Sequence, residues 1–162
     1  MTDFALPADL TYNRGLIDDP RAYARERGVR SWLFLVGDEF AAMPGGMSWA
    51  QVQESVHASA RVVSDPPRQL TLDLARQHVA ALDALPRPTL VSCRTGPRGS
   101  AVAYLYAGLK QGVTYEEVLR AAERDQAPFC AAADIKEWLR TSLEALRTET
   151  DVPANTQTPR TA

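Results

Sequence analysis

The residues best able to do chemistry together are Cys93, Arg94, Thr95, Gly96, Pro97, Arg98, Gly99 and Ser100, an unbroken run in a chain of 162 residues. Thr89, Leu90 and Val91 ahead of it read as a buried strand, and Val102 to Ala107 behind it read as helix. A cysteine at such a strand-to-helix turn faces the first N–H groups of the helix, which have no partner within the helix and favour an anion. Those amides, together with Arg94 and Arg98, predict a thiolate at neutral pH, because helix N-termini and nearby cations can depress a thiol from about 8.5 to ~3.5. Gly96 and Gly99 permit positive φ, so successive amides can converge on an anion. Arg98 offers a planar pair of donors, and Thr95 and Ser100 add hydroxyls. Nucleophile, anion cradle and counter-charge therefore share one window.

The rest of the chain must hold that turn. Asp19-Pro20 opens a short helix to Arg27, with Gly28 as its stop, and Ser31 to Val36 is too short and too apolar to be anything but a buried strand. Gly37 to Met47 reads as a loop, Ser48 caps a helix to about Ser59, and Arg61 to Val63 is a second strand broken by Asp65-Pro66-Pro67. Thr71 caps a helix carrying Leu72, Ala75, Val79, Leu82 and Leu85, which Pro86 and Pro88 end. Thr89 to Ser92 is the third strand, Pro97 opens a helix to Gln111 with Gly112 behind it, and Thr114 with Glu117 forms a capping box. Ile135, Trp138, Leu139, Leu143 and Leu146 stripe a last helix, and the chain divides into a domain over 1–147 and a disordered tail over 148–162. Strands alternating with helices predict a single α/β domain: a small, mainly parallel sheet flanked by helices, with its site at the carboxyl ends of the strands.

The window Cys93-Arg94-Thr95-Gly96-Pro97-Arg98 resembles the rhodanese-type loop C-R-x-G-x-R, and less closely the cysteine-phosphatase loop H-C-x-x-G-x-x-R. Ser92 stands where the phosphatase pattern keeps histidine, and Gly99 where it keeps arginine. From Tyr12 to Ala122 the order of segments resembles the phosphatase-like domain found alone or fused to beta-lactamase-like persulfide dioxygenases. That resemblance implies a dual-specificity-phosphatase-like fold carrying a rhodanese-length loop. It also implies sulfur transfer, the chemistry associated with the shorter loop.

Loop length points the same way: one residue fewer between cysteine and arginine should shrink the ring of amides to suit a persulfide rather than a phosphoryl group. The expected reaction is attack of Cys93 on thiosulfate or a low-molecular-weight persulfide, then passage of the sulfur to a thiol acceptor. Amides from Arg94 to Gly99 would hold the persulfide, Arg98 would fix the donor or the loop, and Arg94 would steer anions in. The alternative is a tyrosine or dual-specificity-type phosphatase working through a Cys93 phosphocysteine, which needs a general acid. Asp65 is the candidate for that role, with Asp38 second. A non-catalytic module binding an anion or a protein partner is the third possibility.

Other features suggest structure rather than chemistry. Cys130 reads as packing, His57 and His78 as surface histidines on helices without a metal-ligand partner, and Trp32, Trp49 and Trp138 as packing residues in separate elements. No metal or cofactor is expected. A net charge of -2, with 45% apolar and 23% charged residues, lacks the basic excess of a nucleic-acid or membrane-surface binder. Only two cysteines and no apolar run of membrane-spanning length lead to a cytoplasmic expectation. Expected partners are a small anionic substrate or persulfide donor and a thiol acceptor, with oligomeric state open.

Overall fold

The computed structural model describes residues 3–64 and 68–151. Its elements run β1 Leu10–Tyr12, α1 Pro20–Glu26, β2 Ser31–Phe34, α2 Trp49–Ser55, β3 Ala58–Arg61, α3 Leu72–Ala84, β4 Thr89–Ser92, α4 Pro97–Gln111, α5 Tyr115–Arg124 and α6 Ala133–Asp151. Single 3-10 turns occupy Asp38–Ala42 and Pro128–Ala131. The strands form one parallel sheet in the order β1-β4-β2-β3. This is the expected α/β class, with helices over a small parallel sheet.

The central strands β2 and β4 are buried at every position, whereas the edge strand β3 is half-buried throughout. Uniform burial follows from helices covering both faces of a parallel sheet. Helix α4 is buried along most of its length, from Arg98 to Leu105 without a break, and packs against β4, α3, α5 and α6. A helix enclosed this way cannot shift without disturbing the whole core, so its first turn is a rigid base for the Cys93 loop.

Several boundaries differ from expectation. Strand β3 starts at Ala58 and ends at Arg61, three residues ahead of the expected start, and α2 stops at Ser55 rather than near Ser59. Strand β2 closes at Phe34, two residues short of Val36. The sheet gains β1, three residues that pair with β4 so that Tyr12 lies opposite Val91. Helix α6 continues through Thr148 to Asp151, past the point where the periodic pattern ends; 152–162 lie outside the described residues. The caps at Asp19, Ser48, Thr71 and Thr114 stand as expected, each accepting a backbone N–H.

Candidate active site

Strand β4 ends at Ser92, so the chain leaves the sheet at Cys93 and turns into α4 at Pro97. Gly96, the residue before the helix, has φ +123, a region that L side chains rarely adopt. The turn curls around the Cys93 sulfur: the Gly96 N–H donates to Sγ at 3.1 Å and the Gly99 N–H at 3.3 Å. A cavity of about 140 Å³ opens above it, walled by Arg68, Arg94, Thr95, Pro97 and Arg98 with Cys93. Arg94 and Thr95 are exposed there, while Cys93 and Arg98 are buried.

The expectation of a ready thiolate is corrected. Burial pushes the Cys93 thiol above its ordinary value, and the opposing amides of Gly99, Gly96, Arg98 and Thr95 do not overcome it. Cys93 is only 4% exposed, and taking a charge out of water outweighs hydrogen bonds made through the backbone.

Gly99, six positions after the cysteine, turns its N–H onto the sulfur, so the ring of amides reaches Gly99 despite the early arginine. What has moved is the side chain. Arg98 lies in the first turn of α4, 1% exposed, with Nη2 donating to the Ser64 carbonyl at 3.1 Å and its guanidinium 5.3 Å from the Trp138 ring centre. Arg98 thus joins the Cys93 turn to the chain just past β3.

Ser100 does not offer its hydroxyl to the cavity. It is fully buried, donates to Pro97 O at 3.1 Å and accepts from Phe129 N at 3.1 Å, pinning the 128–131 turn beside the loop. Ser92, in the place of the phosphatase histidine, accepts from the Trp32 indole at 2.7 Å. Asp38 is ion-paired to Arg61 at 2.7 Å and contributes nothing to the cavity wall, nor does any other residue from Gly37 to Met47. Asp65 lies outside the described residues.

The histidine readings change in part: His57 is on the surface as expected, His78 is not. His57 is exposed in the link between α2 and β3 rather than on a helix. His78 is wholly buried on α3, 3.4 Å from Ser64 Oγ and edge-on to Trp138. Burial, with the Arg98 charge nearby, pulls its pKa down to about 3, so it is neutral beside the arginine. Trp138 is therefore more than core filling: it faces both His78 and Arg98. Cys130 is a half-buried free thiol whose pKa burial raises.

Two site residues had no signal in the sequence pattern. Arg68 reaches the cavity wall from the segment before α3, where it is also bonded to Asp134 at 2.7 Å. Asn13, just past β1, is fully buried against the Cys93 backbone. Its Oδ1 accepts from Cys93 N at 3.2 Å, and its Nδ2 donates to Gly15 O at 2.9 Å, Cys93 O at 3.0 Å and Arg94 O at 3.3 Å. Only the pairing of β1 with β4 brings it there. Among the described residues no cluster of three or more acidic, histidine or cysteine side chains could hold a metal, and no helix is long and apolar enough to cross a membrane.

No protein-family profile matches the chain, and no curated protein sequence does. Solved structures do resemble it. Tk-PTP in its active form superposes with a TM-score of 0.64 at 14% identity, over 86% of this chain and 96% of that one. The core catalytic domain of the PP-IP phosphatase SIW14 from S. cerevisiae gives 0.60 at 11%, over 94% and 98%. A putative phosphatase (DUF442) from Shewanella putrefaciens gives 0.55 at 21%, over 92% and 88%. The chain has the fold of the cysteine-based phosphatases.

Proposed function

We propose that the chain is a cysteine-dependent phosphatase acting on phosphate monoesters through Cys93. The observation that carries this reading is the convergence of the Gly96 and Gly99 amides on Cys93 Sγ at the floor of a cavity walled by Arg68, Arg94 and Arg98. A phosphoryl group brings oxygens that need several donors at once, and preorganised amides with guanidinium groups supply them. The Cys93 thiolate attacks phosphorus, the ester oxygen leaves with a proton from Asp65, and water then cleaves the phosphocysteine, returning its proton to Asp65 and releasing phosphate and the thiolate. Asp65 enters on sequence position alone, between Ser64, which holds Arg98, and the cavity residue Arg68. The phosphatase fold adds to this reading without deciding it, because one fold hosts many chemistries.

Transfer of sulfane sulfur through a Cys93 persulfide is the second reading. It is favoured by Arg98 standing five positions after Cys93 and by its bond to Ser64 O. One experiment separates the two. The purified protein is given an aryl phosphate or thiosulfate, quenched in acid and weighed intact, with Cys93→Ser alongside. Phosphate release and a phosphoryl adduct that the variant lacks are expected. A single added sulfur atom on Cys93, without phosphate release, would overturn the phosphatase reading.

A further inference from the structure

Asn13 sits outside the reacting turn, yet it bonds the backbone of the nucleophile at both ends. A trans peptide is planar and points its C=O and N–H in opposite directions. The Cys93 carbonyl is held by Asn13 Nδ2 at 3.0 Å and the Arg94 carbonyl at 3.3 Å. The N–H groups of the same two peptides, those of Arg94 and Thr95, are therefore turned away from Asn13, and the Thr95 amide is among those that stabilise the sulfur anion. The orientation of the amide is set by its surroundings, with three carbonyls on Nδ2 and one N–H on Oδ1. A reversed amide would oppose oxygen to oxygen. The turn also leaves no slack on this side, since a β-carbon on Gly96 would stand 2.5 Å from Asn13 O.

We infer that Asn13 is the positioning residue of the anion cradle: by gripping the outward carbonyls of Cys93 and Arg94 it aims the intervening amides at the sulfur and at the anion bound there. The inference rests on Cys93 being the nucleophile, and it holds whether phosphorus or sulfur is transferred.

The test compares Asn13→Ala and Asn13→Ser, both neutral, so that any change in the thiol is not a new charge. Thiolate absorbance in the ultraviolet is titrated for each protein against the same protein carrying Cys93→Ser, which subtracts Cys130. Thermal melting and aryl phosphate kinetics are measured on the same samples. At a pH below the wild-type midpoint the thiolate fraction is expected to fall about tenfold, the equivalent of one pH unit in midpoint. KM for the phosphate should rise and kcat should fall. If Asn13→Ala does not fold, Asn13→Ser, which retains a short polar group, carries the measurement. A lowered melting temperature with the thiolate midpoint unmoved would overturn the inference and leave Asn13 as a fold residue. A midpoint moved in the Asn13 variants, with no phosphate released even by the wild type, would uphold Asn13 and sink the phosphatase reading instead.

Discussion

The Gly99 amide lies 3.3 Å from Cys93 Sγ, and on its other side a β-carbon at Gly99 would meet Val91 O at 2.9 Å. Backbone meets backbone there, so the space cannot be made by turning a side chain. Position 99, where the phosphatase pattern keeps arginine, is pressed too closely on β4 for a side chain to enter without a shift, and Arg98 lines the cavity. Gly99→Ala must lift the first turn of α4 from β4 and draw an amide off the sulfur. The expected result is a loss of about 1–3 kcal/mol in denaturant unfolding, as for other overpacked sites, with turnover of aryl phosphate reduced at least about tenfold. Unchanged turnover would mean that this amide does not serve the bound anion.

The parts legible in the sequence were those with local causes. Pro97 and Gly112 bracket α4, Thr114 and Glu117 cap α5, and the apolar run of β4 delivers Cys93 to the helix mouth. What escaped was set by distant partners. Strand β1 is too short to show alternation and exists because β4 pairs with it, which is also what brings Asn13 to Cys93. His78 has polar neighbours along the chain, but Ser64, Arg98 and Trp138 close over it from other segments. The charges near the Cys93 thiol are legible in the sequence, whereas the closeness of its burial, which raises the thiol, is set by the fold.

Ser92 and Trp32 show what replaces the phosphatase histidine. Both are fully buried, and the 2.7 Å bond from the indole N–H to Ser92 Oγ ties β2 to β4 at the residue before Cys93. Ser92→Ala leaves the indole N–H buried without an acceptor, which costs about 1–3 kcal/mol. Chemical denaturation should therefore find Ser92→Ala less stable by that amount, and Ser92→Ala with Trp32→Phe less stable by clearly less than the sum of the single changes. Additive losses would show that the two side chains are not coupled.

Arg68 separates binding from stability. Its ion pair with Asp134 joins side chains that are 49% and 50% exposed, and pairs so wet contribute only about 0–1 kcal/mol. Its place in the cavity wall matters more. Arg68→Ala should leave the melting temperature nearly unchanged while raising KM for an anionic substrate several-fold, with kcat less affected, and the difference from wild type should shrink as salt rises. Equal KM values at low salt would remove Arg68 from the site.

His78 gives the protein an acid limb that can be attributed to one group. The folded state holds it near 3, against an ordinary value of about 6.5, because burial and the Arg98 charge disfavour the imidazolium. In the unfolded chain it takes up a proton as pH drops below about 6.5, so the unfolded state binds more protons and folding weakens. The stability His78 contributes is thus fully present above that pH and is lost as pH falls toward 3, at no more than about 1.4 kcal/mol per pH unit. His78→Phe keeps an aromatic ring against Trp138 and cannot titrate. Urea unfolding between neutral pH and pH 4 should show wild-type stability dropping through this range, with the variant declining less steeply, whatever its stability at neutral pH. Parallel curves for the two proteins would place the acid sensitivity elsewhere.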